Sequence, residues 1–490
     1  METEKKRFHS VRLEKNKCRG CTNCLKRCPT EAIRVRGGRA HIIDERCIDC
    51  GECIRVCDYH AKVAVTDPLS SISRFKYKIA LPAPSLYGQF KNLRHIAQVL
   101  TGLRQMGFDD VFEVARGADV VTRAIREKLR QPDLPRPLIS AACPAIVRLI
   151  QVRFPDLIEH IVDVRQPMEV AALIARQEFA RKHQVDPADV GCFFITPCPA
   201  KVTAIRNPIG HEQSAVDGAI SVLEIYGLLS SHTRSRIMDN ALELATSYGV
   251  GWANSGGEAN AVCPDNALAV DGIENVIKIL EDLEDEKLPD LDFIELNACT
   301  QGCVGGCLAV ENPYVAKTRI RGLMKYLPVS RNKASAVEGM ADGIRWKGSL
   351  ESESQWALDA DMGAAMEKLL RINELTSSLP GLDCGSCGAP TCRALAEDVV
   401  LGSASVDDLF ETLGLPEDED IDSNTVNGLV QEKTCHLPKV GDRFTLGGYD
   451  GVVTRTAKRR VTEVRLTPAE KPEPEKNDDE KSHYGRMTSK

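Results

Sequence analysis

The sequence predicts an α/β domain with a mostly parallel sheet, accompanied by a small α+β module, a small helical domain and a small β module. Three observations predict this architecture: a cysteine-rich segment near the N-terminus, strands that alternate with helical patterns over residues 71–330, and a short series of strands near the C-terminus. Strands separated by helices are typical of parallel sheets, because a helical crossover brings the chain back to start the next parallel strand.

Composition limits the classes of function. A chain of 490 residues has room for several domains, and its formal net charge of −7 argues against a nucleic-acid partner. No apolar stretch reaches the length that crosses a bilayer, and residues 1–20 contain no apolar signal segment. We therefore expect the 19 cysteines to be metal ligands in a reducing cytoplasm and not disulfides.

The cysteines of residues 1–75 repeat one spacing, C-x2-C-x2-C-x3-C, twice. This is the spacing of two-cluster bacterial ferredoxins, in which the fourth cysteine of each copy binds the cluster of the other copy. The spacing predicts a ferredoxin-like module with two [4Fe-4S] clusters and with short strands at Ile33–Val35 and Ile42–Ile43. The predicted ligand sets are Cys18, Cys21, Cys24 and Cys57 for one cluster, and Cys47, Cys50, Cys53 and Cys28 for the other.

The central domain, residues 76–350, alternates short apolar segments with helical patterns. The predicted buried strands are Lys78–Leu81, Pro137–Ser140, Cys192–Thr196 and Phe293–Leu296. Between the first two, the apolar spacing from Leu93 to Met106 predicts a helix. Loops that bind ligands are expected at the C-terminal ends of such parallel strands.

Three of the predicted strands end in loops that carry cysteine: Ser140–Pro144, Thr196–Lys201 and Asn297–Cys303. Their cysteines are Cys143, Cys198, Cys299 and Cys303. Four thiolates are what a cubane cluster needs, so the loops predict a third cluster inside the α/β domain. The alternative is that these are ordinary buried cysteines, which pack as small hydrophobes.

These loops resemble the signature segments of the [FeFe]-hydrogenase catalytic domain, which read approximately TSCCP, MPCxxKxxE and ExMACxxGC. The resemblance covers about residues 76–330. It also includes Ala83–Ser85, Leu103–Glu113, Gly117–Asp119, Ser255–Gly257 and Glu295. The resemblance implies an α/β catalytic-type domain that reacts with hydrogen and protons and exchanges electrons with a redox partner such as a ferredoxin.

The resemblance also implies an H-cluster, which is a [4Fe-4S] cluster joined to a diiron subsite with carbonyl and cyanide ligands. The residues that would hold its cubane part are Cys143, Cys198, Cys299 and Cys303. Cys303 would also bridge to the diiron subsite. Lys201 would donate a hydrogen bond to a cyanide, as suits a buried cation beside an anionic ligand.

The chain departs from the family at the position that carries protons. The family has a cysteine immediately before the first cluster ligand, and this chain has Ala142 there. Proton relays contribute about 10²–10⁴-fold to rates, so low turnover is expected. Other departures are Ala204 for a glutamate, Asn297 for a methionine and Thr300 for a frequent proline. Such changes resemble the divergent sensory hydrogenases, and Cys307 is a candidate replacement for the missing proton carrier.

A third cysteine-rich segment lies in the predicted small helical domain, residues 351–432. Its cysteines are Cys384, Cys387 and Cys392, spaced C-x2-C-x4-C. They resemble the small four-cysteine iron–sulfur domain of corrinoid iron–sulfur proteins, electron-transport complexes and sensory hydrogenases, which implies a further [4Fe-4S] cluster. Asp408 and Cys435 are the candidates for its fourth ligand, and a zinc site completed by His436 is the alternative.

The C-terminal residues divide into two predicted parts. Residues 433–467 are expected to form the small β module, with turns at Gly447–Gly448 and Asp450–Gly451. Residues 468–490 are rich in Pro, Glu, Lys and Asp, which predicts a disordered tail.

Three hypotheses follow for the function. The first is a slow iron hydrogenase, and the second is a sensor that uses the same chemistry and passes its signal to a partner chain or a hydrogenase complex. The third is an electron-transfer subunit that binds only [4Fe-4S] clusters. Ala142 favours the second hypothesis over the first. Lys201 and the intact Cys303 argue against the third, because electron relay alone needs neither of them.

Overall fold

The computed structural model describes residues 7–233, 238–329, 341–353, 358–359, 361–379, 381–385, 387–404, 430–431, 433–434, 436–446, 449–457 and 460–468. Asp408, Cys435, Gly447–Gly448 and nearly all of the predicted tail lie outside these residues. The chain divides into two compact units. The first contains residues 1–369 and 388–390, and the second contains the remainder. The predicted division of the chain into five segments remains a prediction.

The N-terminal module is built from two antiparallel strand pairs and two single-turn helices. Strand β1 (Val11–Leu13) pairs with β4 (Lys62–Ala64), and β2 (Ile33–Arg36) pairs with β3 (Arg39–Ile42). Each cysteine repeat places its third cysteine in a helical turn. These turns are α1 (Asn23–Lys26) and α2 (Glu52–Arg55). The predicted strands are therefore present, with β3 beginning earlier than expected.

The central domain contains two parallel sheets. The first has the order β6-β5-β8-β9 and the second the order β10-β11-β7. The strands of the first are β5 (Tyr77–Pro82), β6 (Asp110–Val111), β8 (Val190–Thr196) and β9 (Gly218–Ser221). Those of the second are β7 (Leu138–Ile139), β10 (Ala267–Asp271) and β11 (Phe293–Asn297). The prediction of mostly parallel strands is confirmed, and the structure adds that they belong to two sheets.

Helices connect and cover these strands. They are α3 (Ala97–Gln105), α4 (Val114–Leu129), α5 (Pro144–Arg153), α6 (Pro167–His183), α7 (Pro199–Arg206), α8 (Val222–His232), α9 (Ser247–Gly251), α10 (Gly257–Val262), α11 (Ile273–Glu284), α12 (Pro313–Met324) and α13 (Ala341–Ile344). All seven residues of β8 are buried, as expected for a central parallel strand with both faces covered. Two helices begin directly after a cysteine, because Cys143 and Cys198 are the N-cap residues of α5 and α7.

Helix α14 (Met362–Ser378) begins in the first unit and ends in the second, which also contains α15 (Cys392–Val400) and an antiparallel sheet. The sheet is formed by β12 (Arg443–Leu446), β13 (Tyr449–Ala457) and β14 (Arg460–Pro468). The predicted turn at Asp450–Gly451 is wrong, since both residues lie within β13. Gly451 pairs across the strands with Phe444, and a Cβ at Gly451 would overlap the Phe444 ring. This glycine makes room for an aromatic side chain and does not mark a turn.

Candidate iron–sulfur sites

The N-terminal cysteines come together across the two repeats. Burial is the main cause that raises the pKa of Cys24 to about 11; Lys62 opposes the shift, and nearby Cys21, Cys57 and Cys18 contribute to it. The other four cysteines show the same pattern. Burial raises the pKa of Cys47, Cys50 and Cys53, and the charge of Cys28 acts on each of them. The fourth cysteine of each repeat therefore lies beside the first three of the other repeat.

Backbone amides donate to sulfur in both repeats. Ala32 N–H donates to Cys28 Sγ at 3.2 Å, and Ala61 N–H donates to Cys57 Sγ at 3.2 Å. The two bonds join equivalent positions, four residues apart in each repeat. Hydrogen bonds to sulfur tune the potentials of iron–sulfur clusters, so the cysteines and their amide donors fit two [4Fe-4S] clusters.

The first loop of the central domain follows β7 and is held by Ser140. The Ser140 N–H donates to Ile294 O at 3.0 Å, which continues the pairing of β7 with β11. Its hydroxyl accepts from Ala142 N–H at 3.1 Å and donates to Glu258 Oε2 at 2.6 Å. These bonds fix the backbone immediately before Cys143.

The second and third loops follow β8 and β11 and are joined to each other. Leu308 N–H donates to Pro197 O at 3.0 Å, so the chain after the third loop lies on the second. Gly302 has φ +88, and a Cβ there would overlap Ser255 N. Glycine is therefore required where the third loop passes the turn that precedes α10.

The three loops bring their four cysteines together, and Lys201 lies near Cys198 and Cys303. Burial raises the pKa of Cys198 to about 12, with Cys143 adding to the shift and Lys201 opposing it. Burial also raises the pKa of Cys303 to about 11 against the effect of Lys201, and the charges of Cys198 and Cys143 act on Cys299. Lys201 Nζ donates to Ala142 O at 2.9 Å, which links α7 to the first loop.

The donor set fits a buried cubane cluster. Burial raises the pKa of Cys198, Cys299 and Cys303, so cluster binding must displace protons from these thiols. The cluster-binding residues would be Cys143, Cys198, Cys299 and Cys303. The side chain of Ala142 offers no hydrogen-bonding or titratable group at this site. Ala204 is buried and Asn297 donates to Glu295 Oε1 at 2.7 Å, so neither restores a carboxyl or thioether beside the cysteines.

A pair of buried carboxyls lies next to this site and was missed in part by sequence reasoning. Glu295 accepts from Gly256 N–H and Ala259 N–H at 3.0 and 2.9 Å. Glu258 is 4% exposed, and burial together with the charge of Glu295 raises its pKa. The resemblance indicates Glu295. For Glu258, the only sequence signal is its position directly after the Ser255–Gly257 turn.

Cys307 lies on the side of the domain that faces the N-terminal module. Burial raises its pKa to about 12, and Arg55 of α2 opposes the shift. A Cβ at Gly51 would overlap Cys307 Sγ and would lie 3.2 Å from Pro199 Cγ. The charge of Cys307 acts on both Cys53 and Cys299. Cys307 therefore lies near both the N-terminal and the central ligands, and it contacts the ferredoxin-like module.

Cys384, Cys387 and Cys392 are all partly buried. Cys392 is the first residue of α15, and its N–H donates to Asp383 Oδ1 at 2.6 Å. This bond brings Asp383, which directly precedes the first cysteine of the motif, next to the last cysteine of the motif. Both candidate fourth ligands, Asp408 and Cys435, fall outside the described residues.

Family comparisons support several of these segments. Residues 76–307 match the iron only hydrogenase large subunit, C-terminal domain, and residues 10–58 match a 4Fe-4S dicluster domain. Residues 379–408 match an Fe-S cluster family, and residues 397–470 match a transporter associated domain. The last match was not expected from the sequence, which predicted only a small β module there.

Three curated relatives illustrate the range of similar proteins. The periplasmic [Fe] hydrogenase large subunit of Nitratidesulfovibrio vulgaris is 24% identical over 367 residues, which cover 61% of this chain and 86% of the relative. Iron hydrogenase 1 of Clostridium pasteurianum is 23% identical over 249 residues, covering 45% of this chain and 43% of the relative. A probable cytosolic Fe-S cluster assembly factor of Brugia malayi is 22% identical over 338 residues, covering 56% of this chain and 75% of the relative.

None of the helices in the described part of the chain combines the length and apolar character needed to cross a membrane. Three observations indicate a distant relationship to hydrogenase large subunits: the family match, the identity of about one quarter, and the substitution at Ala142. Residues 76–307 are therefore similar to the iron only hydrogenase large subunit, C-terminal domain, and they follow residues 10–58, which match a 4Fe-4S dicluster domain.

Proposed function

We propose that this chain is a hydrogenase-like iron–sulfur protein that reacts with hydrogen and protons at low turnover and serves a sensory role. The observation that carries the proposal is the hydrogen bond from Lys201 Nζ to the backbone carbonyl of Ala142. Lys201 supplies a cation beside Cys198 and Cys303, while the residue whose carbonyl it binds has no proton to give. A bound H-cluster would supply the interconversion of hydrogen with protons and electrons.

The chain's own residues would hold and serve that group as follows. Cys143, Cys198, Cys299 and Cys303 would bind its cubane part, and Cys303 would extend to the diiron subsite. Lys201 would face the anionic cyanide ligands. It has no evident purpose in an electron relay, where a cation fixed on the first loop is not needed.

Proton delivery would be slow in this arrangement. Among the described residues, the carboxyl nearest to Ala142 in the hydrogen-bond network is that of Glu258, which is reached through the Ser140 hydroxyl. Electrons would leave through the N-terminal ligands, because Cys53 and Cys299 both lie near Cys307. Fast electron exit combined with slow proton exchange suits a site that reports hydrogen more than it consumes it.

Infrared spectroscopy of protein matured with the diiron cofactor tests the proposal. Carbonyl and cyanide bands are expected, and they should change when hydrogen replaces argon above the sample. Ala142→Cys should raise hydrogen turnover by about 10²-fold, since it restores a thiol beside the first ligand. Ala141→Cys is the matched control, because it adds the same thiol one residue away. Equal rates in both variants would contradict the role given to position 142.

The second candidate function is a protein that binds only [4Fe-4S] clusters, either as an electron-transfer subunit or in iron–sulfur cluster assembly. It is favoured by the similarity to a probable cytosolic Fe-S cluster assembly factor, which covers 56% of this chain. Full cubane content without any carbonyl or cyanide bands after maturation would select this function. The first proposal also includes a cytoplasmic location and a fourth [4Fe-4S] cluster at Cys384, Cys387 and Cys392. Its partners would be a ferredoxin as redox partner and a signalling or hydrogenase-complex partner.

A further inference from the structure

Lys62 is a buried cation in the N-terminal module that forms no ion pair with an acid among the described residues. It begins strand β4, opposite Leu13 of β1, and is 2% exposed. Within the described part of the chain, its Nζ atom makes no hydrogen bond or ion pair. A buried charge of this kind is costly unless an opposite charge compensates it.

The internal repeat shows that an apolar residue suits this position. Lys62 lies five residues after Cys57, and Ile33 lies five residues after Cys28 in the first repeat. Both follow an alanine whose N–H donates to the preceding cysteine sulfur, and Ile33 is also 2% exposed. The second copy therefore carries an ammonium group where the first copy carries a packed isoleucine.

The cysteines on which Lys62 acts belong to both ligand sets, and they become thiolates when they bind a cluster. Among the charged neighbours of Cys24 and of Cys53, Lys62 exerts the largest effect, and in both cases it favours the thiolate. Cys24 belongs to one set and Cys53 to the other. One cation therefore acts on both ligand sets at once.

We propose that Lys62 is the internal counter-ion of the two ferredoxin-type clusters and raises the reduction potential of both. Adding an electron to a cluster increases its negative charge, and a fixed cation nearby stabilises the reduced form. The module would then hold electrons more readily than it would with isoleucine at this position. This inference does not depend on a diiron subsite, so its failure would leave the proposed reaction with hydrogen untouched.

A redox titration of the full-length protein, followed by electron paramagnetic resonance of the coupled ferredoxin-type clusters, tests the inference. Lys62→Met keeps the length of the side chain and removes the charge. It should lower the reduction equilibrium constant of both clusters at least tenfold, which is about 59 mV for a one-electron couple. Lys62→Arg keeps a positive charge and should retain potentials close to those of the original protein.

Ile33→Met is the matched control, because it changes the equivalent buried position without changing charge, and it should leave both potentials in place. Unchanged potentials in Lys62→Met with full iron content would overturn the inference. If Lys62→Met fails to retain iron, Lys62→Gln is measured in its place. Loss of iron from both neutral variants but not from Lys62→Arg would support the counter-ion role. Loss from all three would overturn it, because size and not charge would then be decisive.

Discussion

Glu113 is a buried carboxyl that the fold holds more readily in its protonated form. It is the N-cap residue of α4 and is 1% exposed. Its Oε2 accepts from Leu244 N–H and Ala245 N–H at 2.7 and 2.8 Å, but burial still outweighs these bonds and raises its pKa from 4.5 to about 7. The folded protein therefore binds a proton that the unfolded chain has already released above about pH 4.5.

This difference predicts a defined pH dependence of stability. Since the folded state binds more protons between about pH 4.5 and 7, the free energy of unfolding falls as pH rises through that range, by about 3 kcal/mol from this residue. Glu113→Gln should remove the loss, so the variant gains stability over the original protein as pH rises. Anaerobic calorimetry at pH 5 and pH 8 measures the difference. The exposed Glu127→Gln on α4 should show no such trend, and a trend equal in both variants would refute the assignment to Glu113.

At the scale of elements, the cluster-binding turn around α2 is shaped to fit the central domain. Gly51 precedes α2 with φ +80, and its missing side chain leaves space for Cys307 Sγ and Pro199. Pro199 directly follows Cys198, and Gly51 directly follows Cys50. The contact thus joins the segment next to the N-terminal ligand Cys50 to the segment next to the central ligand Cys198.

Gly51→Ala should therefore separate the N-terminal and central ligand sets. The added methyl group would overlap Cys307 Sγ, so the magnetic interaction between the reduced clusters should weaken in electron paramagnetic resonance. Gly37→Ala is the matched control. Gly37 also has a positive φ of 55°, but a Cβ there meets no atom within 4 Å. Both variants carry the backbone cost of about 1–2 kcal/mol, and only Gly51→Ala should alter the spectrum.

A double variant distinguishes the contact from backbone strain. Cys307→Gly removes the sulfur that the new methyl group would meet, so Gly51→Ala combined with Cys307→Gly should recover the original spectrum. Persistence of the altered spectrum in the double variant would show that strain at Gly51, and not its contact with Cys307, controls the separation.

The elements also show what the sequence could predict. The apolar run at Phe293–Leu296 became β11 almost unchanged, because a buried parallel strand has a strong local signal. The pairing of β11 with β7 joins residues more than 150 positions apart, and no local pattern encodes it. This pairing divides the parallel strands between two sheets. The glycine at Gly451 was misread for a related reason, since its purpose depends on Phe444 in another strand.

The candidate site was predictable to the extent that residue type and spacing specify it. The spacing indicated which cysteines to expect, and the resemblance indicated Lys201. The carboxyl of Glu258 was not predictable, because its partner Ser140 lies 118 residues away. The sequence also did not predict on which side of the domain Cys307 lies, since a residue four positions after Cys303 can face either way.

At the scale of the whole molecule, the N-terminal module and the central domain form one compact unit with polar contacts between them. Ser10 N–H donates to Thr203 Oγ1 at 3.0 Å, and Asn207 Nδ2 donates to Phe8 O at 2.8 Å. Both partners in the central domain follow Lys201 closely along the chain. The contacts therefore anchor the module to α7, the helix that begins at the second cysteine-bearing loop, and to the segment that follows α7.

The second compact unit carries its own cysteines, and this separation leads to the last prediction. Cys384, Cys387 and Cys392 belong to a different unit from all other proposed ligands except the candidates Asp408 and Cys435. Cys384→Ser should therefore remove one [4Fe-4S] equivalent from the iron content and leave the signals of the remaining clusters unchanged. Cys263→Ser is the control, because Cys263 is exposed and lies outside every proposed ligand set.

Iron and zinc analysis of the same two samples separates the alternatives. Loss of zinc in place of iron from Cys384→Ser would show that this motif holds zinc, with His436 as the natural fourth ligand. Loss of signal from the clusters of the first unit would contradict this separation of the ligand sets. The expected result is a chain whose N-terminal and central clusters persist while only the C-terminal cluster disappears, because Cys384, Cys387 and Cys392 are assigned to a different unit from the proposed ligands of those clusters.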